Sequence, residues 1–511
     1  MTLSTQPTSA VSLRRLLPGA KILGAEDIVV RSCAANSKLC LPDDLFVAMV
    51  GAHQDGHDFV EEAIANGASA ILSERALPTT RPVCIVENTQ SAYAQICQAL
   101  AGDPSKRMRV IGVTGTNGKT TVCRLIQSIM ETAGATVGMS SSLGYDNGYD
   151  RQPWDCTTPN AAVLADLLSR MEYNGCTHAV VEASSEALSR DRLDGIELDA
   201  VAITNLRQDH LDVHGSVTNY HRAKKKILGR LRETGFAVVN ADDSACNKLL
   251  SQIETPALSV ALHGAAEITA SVVERHKSEQ TFLLSAGDET VPVCTRMIGD
   301  HHVYNCLVAA AVGLVYGVDL KTVVRGLERV DSIPGRMQRI ECGQPFGVFV
   351  DLAHTHDALA MALKALRRVT HGRVICVYGA DGLGDPSKRP LLGRVAERGA
   401  DLSLITSANP GDESPLEVIH DILDGYERPA RAHVMPNRAA AIEWALSEAQ
   451  TGDTVLIAGR GTPNLQTLRE EELPLDDVQI AQSWLYQDSR GLEVDVTVED
   501  DGPVLLKFPR G

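Results

Sequence analysis

At 511 residues the chain is too long for a single hydrophobic core, so about three domains of ordinary size are expected. With 44% hydrophobic and 22% charged residues it reads as a soluble globular protein, and no stretch approaches the ~20 apolar residues of a membrane span. The formal net charge of −17 excludes a sequence-independent nucleic-acid binder, which needs cations to meet phosphates, so any anionic substrate must be held by local groups.

The segment Met1 to Pro18 has Arg14 and Arg15 but no apolar core with a small-residue cleavage site, and a cytoplasmic location is expected. The first ~107 residues mix short strand-like runs (Leu45 to Val50, Ala68 to Leu72, Val83 to Val86) with helical ones (Phe59 to Asn66, Ser91 to Ala101). Gly102-Asp-Pro-Ser105 breaks that pattern and marks a first boundary. From Arg109 to about Pro334, apolar strands at Val110 to Val113, Ala179 to Glu182, Ala200 to Thr204 and Ala237 to Asn240 alternate with helical stretches, the signature of βαβ units around a buried parallel sheet. A strand-rich insert, Ser259 to Thr295, precedes an Ala-rich helix at Asn305 to Tyr316, and Pro334-Gly-Arg336 marks a second boundary.

The remainder repeats strand and helix: Val348 to Asp351, Ala358 to Val369, Val374 to Tyr378, Leu402 to Thr406, Ala439 to Ala449 and Val455 to Ala458, which predicts a second α/β sheet. The acidic tail from about Gln487 has a strand-like pair, Leu492 to Val498 and Val504 to Phe508, and no function is assigned to it. The twelve cysteines include no Cys-x-x-Cys pair and sit largely in apolar runs, as buried thiols do.

The segment Ile111-Gly-Val-Thr-Gly115-Thr116-Asn117-Gly118-Lys119-Thr120-Thr121 follows a strand and precedes an amphipathic helix, Val122 to Thr132. Small residues let backbone N–H groups converge on phosphate oxygens, and the helix N-terminus adds its positive end. Lys119 can then reach the terminal phosphates of ATP and the Thr120 hydroxyl can ligate Mg²⁺. The glycine spacing is one residue longer than in the common phosphate loop. Glu182 ends an apolar strand, where a parallel sheet exposes its functional edge, and its carboxylate can hold Mg²⁺. His210, in Asp209-His-Leu-Asp212, can ligate a second metal through a neutral imidazole. Tyr220-His-Arg-Ala-Lys224-Lys-Lys226 is a helical basic run that reads as a solvated face, and composition does not choose among its lysines.

Together these residues resemble the Mur ligases, in particular the type that adds the third residue of the peptidoglycan stem peptide, with matching stretches from about Asn36 to Leu485. Asn36-Ser-Lys38, Pro42 to Ala48 and Asp55 to Phe59 are similar to the family's uridine-nucleotide domain, and Thr157-Thr158-Pro159 and Glu182-Ala-Ser-Ser185 to its muramoyl and metal segments. Asn205 to His214 with Tyr220-x-x-Ala-Lys224 is equally characteristic. The resemblance implies three α/β domains: a small uridine-nucleotide domain (1–107), a central phosphate-loop ATPase domain with a parallel sheet (108–336) and a Rossmann-like ligase domain (337–486), then the tail (487–511).

It further implies a UDP-N-acetylmuramoyl peptide and an amino acid as substrates, ATP and Mg²⁺ as cofactors, and a monomer with no membrane or nucleic-acid partner. Lys119, His210 and Lys224 would be catalytic, Thr120, Glu182, His210 and Lys224 would be the metal residues, and Lys224 would be carbamylated, its new carboxylate helping to hold a second Mg²⁺. Gly115 to Thr121, Asn305 and Arg336 would hold the nucleotide, Asn305 beside the adenine. Ser37, His53, Gln54, Thr157, Thr158, Pro159, Ser184, Arg192, Arg389 and Asn409 would hold the other substrates, and Asp351, His354 and Lys388 belong to the ligase domain.

ATP would phosphorylate the substrate's terminal carboxylate, and the incoming amine would attack the acyl phosphate. The chain departs from the family where the amino acid is held. The family's Asp-Asn-Pro-Arg reads Ala408-Asn-Pro-Gly411, which removes an arginine expected to clamp a distal carboxylate, and its Gly-Lys-Gly-His-Glu reads Gly459-Arg-Gly-Thr-Pro463. Glu186, Leu352, His302 and Arg207-Gln208 also replace the usual His, Tyr, Asn and Thr-Arg. Arg389, Arg460 or Asp412 could re-form the acceptor pocket.

Three other readings compete: a nucleotide-binding paralogue without ligase activity, a folylpolyglutamate-synthase-like or cyanophycin-type amide ligase, and a plain kinase or GTPase. The persistence of Lys119, Thr120, Glu182, His210 and Lys224 weighs against the first, the N-terminal domain against the second, and the Lys224 helix against the third.

Overall fold

The computed structural model describes residues 10–51, 54–153, 156–207, 209, 211–382, 385–461, 465–468 and 471–489. They form two compact units. One comprises the chain up to Glu274 with Gln280–Arg296 and Asp300–Asp331; the other comprises Arg275–Glu279, Met297–Gly299 and the chain from Ser332 on.

The first unit opens on a five-stranded sheet. Strands Cys33–Ala34, Leu45–Val47, Ala70–Ser73 and Val83–Ile85 run parallel, and Lys21–Leu23 closes one edge antiparallel. Leu45, Val47, Ala70 and Leu72 pack with Leu13 and Ile96 on one face, while Phe46, Ile71 and Ala63 pack on the other. The Thr89–Leu100 helix then ties this sheet to the next, because Asn88 donates to Asp191 at 2.9 Å and Ser91 to Asp194 at 2.5 Å.

An eleven-stranded sheet follows. Its core is parallel, in the order Val137–Ser141, His178–Glu182, Arg109–Thr114, Leu198–Ile203, Leu231–Asn240 and Ala257–Ala261. These strands are near-continuous runs of buried Val, Ile and Ala, as a sheet covered on both faces requires. The expected insert forms strands at Ile268–Arg275, Gln280–Ala286 and Glu289–Thr295, the last two an antiparallel pair.

The helix after the phosphate loop starts at Lys119, three residues before the expected Val122, because Gly118 takes φ 87° and turns the chain directly into it. This helix, Lys119–Thr132, lies under the helices Asp300–Val315 and Leu320–Glu328. The second unit is a six-stranded sheet in which Gly347–Asp351, Thr454–Ala458, Val374–Tyr378, Leu402–Ile405 and Ala432–Val434 run parallel and Gln338–Ile340 is an antiparallel edge. Helices His356–Arg367, Arg389–Gly399 and Pro415–Leu423 cover one face and Arg438–Glu448 and Asp477–Ser489 the other.

No helix among the described residues is long and apolar enough to cross a membrane. All twelve cysteines are free, and eight are buried. The strand pair anticipated after Leu492 lies outside the described residues.

Candidate functional site

In the first unit the central strands end side by side at Thr114, Glu182 and Ile203, and the loop from Gly115 to Gly118 lies across that edge. Gly115 sits so close to the chain beside it that a Cβ would run into the Thr204 hydroxyl, and a Cβ on Gly118 would meet the Asn305 side-chain carbonyl. Asn205 laces the loop from below. Its carbonyl accepts from Thr116 N at 2.9 Å, its Oδ1 accepts from Asn117 N at 2.9 Å, and its Nδ2 donates to Asn117 O at 2.9 Å. Thr204 Oγ1 adds a bond to Asn117 O at 2.6 Å, and Tyr220 Oη donates to Thr116 Oγ1 at 3.0 Å. The loop is therefore held in shape by protein alone, which leaves its small residues free to face a phosphate. Lys119 Nζ folds back to Thr116 O at 3.0 Å. Asn117 Nδ2 is buried without a hydrogen-bond partner, a donor consistent with a ligand beside the loop.

Thr120 and Glu182 meet as the sequence reading expects. Both are buried, and Thr120 Oγ1 donates to Glu182 Oε1 at 3.1 Å. Ser142, absent from the sequence-based set, joins them: its N–H and its hydroxyl each reach Glu182 Oε2 at 3.0 Å. The only signal for it was the serine run at the end of the Val137–Ser141 strand. Glu182 is thus a buried carboxylate that accepts hydrogen bonds from two hydroxyls and one N–H, and the oxygen donors gathered there fit Mg²⁺.

Of the three candidate lysines, the fold selects one. Lys225 and Lys226 are exposed, whereas Lys224 points inward, is 2% exposed and donates to Gly115 O at 2.7 Å. The solvated-face reading holds for its two neighbours and fails for Lys224, because the helix turns that position onto the loop. Its Nζ lies 4.7 Å from the Tyr220 ring centroid. Burial first, and the nearby Lys119 ammonium second, push the Lys224 amine well below the ordinary lysine range. His210 and His53 lie outside the described residues, as do Gln208, Thr462 and Pro463.

Thr158, Ser184 and Arg192 come together beside Glu182. Thr158 Oγ1 donates to Glu182 O at 2.6 Å and accepts from Ser184 N at 3.0 Å, while Arg192 Nη1 donates to Thr158 O at 2.9 Å. Pro159 is buried next to them and Thr157 half-buried. Glu186 pairs with Arg192 at 3.1 Å. Ser184 caps the Ser185–Ser189 helix. In the N-terminal sheet Ser37 Oγ donates to Glu62 at 2.5 Å, and Gln54 is exposed, its carbonyl accepting from Gly51 N. Asn305 packs on Gly118. His302, in the same helix, is buried with Nε2 3.4 Å from Cys306 Sγ, and burial lowers its pKa to about 3.

In the second unit the corresponding strand ends bring Asp351, Ala408, Asn409 and Arg460 to one edge. Asp351 accepts from Met337 N at 2.6 Å and Ala353 N at 2.8 Å, so it shapes the chain around Arg336 and His354. Asn409 O accepts from Gly382 N at 2.9 Å. Arg389 is 3% exposed, and Asp421, Glu413 and Gly382 O take up its guanidinium at 2.8–2.9 Å. Arg460 donates to Ala408 O at 2.9 Å and Leu475 O at 3.3 Å. Both arginines offered by sequence for the acceptor pocket are therefore engaged within the protein.

Comparison with known proteins gives one pattern across the chain. Residues 30–107 match the model of the Mur ligase family, catalytic domain; 113–313 match the Mur ligase middle domain; and 335–461 match the Mur ligase, glutamate ligase domain. The UDP-N-acetylmuramoyl-L-alanyl-D-glutamate–2,6-diaminopimelate ligase of Geobacillus kaustophilus is 36% identical over 467 residues, 90% of this chain and 95% of that protein. The ligase of the same name from Syntrophomonas wolfei is 35% identical over 90% of this chain and 96% of that protein. A solved structure with this ligase name superposes with a TM-score of 0.67 at 27% identity, covering 94% of this chain and all of that one. In fold alone, the Thermotoga maritima MurF ligase in complex with ADP is also similar, with a TM-score of 0.60 at 20% identity over 90% of this chain and 99% of that one.

Proposed function

The chain belongs to the Mur ligase family, and from that premise we propose that it is an ATP-dependent ligase in peptidoglycan precursor synthesis, joining an amino acid to the terminal carboxylate of a UDP-N-acetylmuramoyl dipeptide. The observation that carries this reading is the glycine-rich loop braced by Asn205 above the Thr120–Glu182 pair, with the Lys224 amine held against Gly115.

In this reading the N–H groups of the loop from Gly115 to Thr121 cradle the ATP phosphates, and Lys119 swings from Thr116 O to the terminal phosphate as charge spreads over it. Thr120 and Glu182 would hold a magnesium ion, whose charge would further neutralise the transferring phosphoryl group. Burial favours the uncharged form of the Lys224 amine, which would add CO₂ with loss of a proton to form a carbamate, a carboxylate that could help to hold a second metal with His210. The substrate carboxylate attacks the γ-phosphorus and ADP leaves; the acceptor amine then attacks the acyl carbonyl and phosphate leaves. Thr157, Thr158, Pro159, Ser184 and Arg192 line the muramoyl peptide, Ser37, His53 and Gln54 the uridine end, and Asn305 and Arg336 the nucleotide.

The domains of this reading are 1–107 for the uridine nucleotide, 108–336 for ATP and 337–486 for ligation, in a cytoplasmic monomer. The acceptor is set by the second unit, where Asn409 remains, Arg389 is neutralised by two carboxylates, and Gly411 supplies no charge. An acceptor with a distal carboxylate therefore gains nothing at these positions. The test is phosphate release and product mass from full-length protein with ATP, Mg²⁺, UDP-N-acetylmuramoyl dipeptide and a panel of amino acids. One acceptor should give a mass increase equal to the amino acid less water. Silence with every acceptor, despite ATP binding, would favour a paralogue that has lost ligation.

A further inference from the structure

The chain carries 65 acidic against 48 basic residues, yet the charged residues around one groove of the first unit are all cations. The groove runs between the helices Val217–Lys225 and Ser244–Leu250. Its volume of 680 Å³ is inside the range of about 300–1,000 Å³ that ligand pockets occupy. Arg207, Arg222, Lys225 and Lys248 line it and are exposed, and no aspartate or glutamate among the described residues does so. Arg222 Nη1 donates to Asn219 Oδ1 at 3.1 Å and Lys225 Nζ to Gln252 Oε1 at 3.0 Å, neutral amide oxygens that orient a cation without cancelling its charge. Among the described residues, no carboxylate lies within ion-pair distance of Arg222, Lys225 or Lys248.

Arg222 and Lys225 stand three residues apart on one helix, and like charges so placed repel until an anion lies between them. Beneath these cations the groove is apolar. Leu206 and Leu249 are buried along it, and Val217 presents a partly exposed side chain. His221 also lines the groove, and its Nε2 is buried with no hydrogen-bond partner among the described residues. A buried ring nitrogen in that state is a polar contact held ready for an occupant. Cations above an apolar floor, with one spare polar atom, match an anionic group joined to an apolar body.

We propose that this groove is a second ligand site, which takes a small organic phosphate. Arg222, Lys225 and Lys248 would hold the head, and Leu206, Val217 and Leu249 the apolar body. Three cations without carboxylate partners call for more than one negative charge, and a phosphate monoester carries about −1.5 to −2 at neutral pH. None of the groove residues belongs to the nucleotide, metal or muramoyl sets named above, so the site stands apart from the ligase chemistry and does not depend on it.

The probe is phenyl phosphate, titrated by calorimetry into the full-length protein after the phosphate loop has been saturated with the β,γ-methylene analogue of ATP and Mg²⁺. A single binding event is expected. Arg222→Glu and Lys248→Glu should each weaken it about tenfold or more, with Arg222→Gln intermediate. Val217→Asn should weaken phenyl phosphate several-fold while leaving inorganic phosphate unchanged, because only the ester uses the apolar floor. Thermal unfolding checks that each variant folds, and if Arg222→Glu does not, Lys248→Glu on the other helix decides alone. No heat with phenyl phosphate, or the same affinity in the glutamate variants, overturns the site. Inorganic phosphate that binds as tightly as phenyl phosphate, with no effect of Val217→Asn, overturns the organic ligand. If the ATP analogue itself does not bind, the ATP reading fails while the groove is still judged by its own variants.

Discussion

Lys224 and Lys119 are both lysines near one loop, yet the fold treats them oppositely. Lys224 is enclosed, and desolvation with the Lys119 charge depresses its pKa, so at neutral pH the unfolded chain holds a proton there that the folded chain resists. Stability linked to this group is therefore lost as pH falls toward its folded pKa and rises with pH up to the ordinary lysine range. Lys224→Met removes that cost, and we expect a higher urea midpoint at pH 7 that no longer rises with pH through this window. Turnover should fall on the order of 10²-fold or more, since no carbamate can form. Measuring both quantities tests the trade: a lower midpoint, or turnover preserved, contradicts it. Lys119→Ala should remove ATP binding, read by calorimetry, while leaving the urea midpoint little changed, because among the described residues its side chain makes one hydrogen bond, to Thr116 O. At the acceptor end, competition between diaminopimelate and neutral or basic amino acids should show no preference for the diacid, since Arg389 is neutralised by Glu413 and Asp421.

The helix Lys119–Thr132 sets where the loop points, and it is positioned by an unusually close approach to Leu320–Glu328. A Cβ on Gly326 would lie 2.5 Å from Ile129 Cα, and Ser128 Oγ donates to Gly326 O at 2.7 Å. Gly326→Ala must push two backbones apart, costing about 1–3 kcal/mol, and it should weaken ATP binding although it touches no nucleotide. Equilibrium unfolding with a parallel ADP titration checks this, and unchanged affinity would show that the helix does not transmit the shift. The sequence pattern found this helix and the neighbour at Asp300–Val315, read from Asn305 to Tyr316, because their apolar periodicity is local, but it did not find Leu320–Glu328. It started the loop helix three residues late, because the left-handed turn at Gly118 leads straight into Lys119, at a position where Asn305, distant in sequence, would clash with any Cβ.

Across the molecule, the second unit is closed by a buried ion pair. Arg438 Nε and Nη2 donate to the two Asp477 oxygens at 2.8 and 2.7 Å, and Nη2 also reaches Ala458 O, which joins the Arg438–Glu448 helix, the Asp477–Ser489 helix and a central strand. Both side chains are essentially inaccessible. Arg438→Met leaves Asp477 buried and uncompensated and should destabilise the unit by about 3–5 kcal/mol, whereas Arg438→Met with Asp477→Leu should recover most of that loss. Chemical denaturation of the two variants gives the difference directly, and equal losses in both would mean that the pair contributes through packing rather than charge.

The sequence by itself determined the parallel α/β character, the phosphate loop, the Thr120–Glu182 pair and the family. Each of these is carried by neighbouring residues or by a strand-end position whose chemistry is readable without coordinates. Only the tertiary structure decided which of three lysines turns inward, that Asn205 braces the loop, that Ser142 meets Glu182, and that Arg389 is occupied. The physical reason is the same in every case. Whether a polar side chain is solvated, paired or poised depends on what the fold brings to within about 3 Å of it, and those partners lie tens of residues away in the chain.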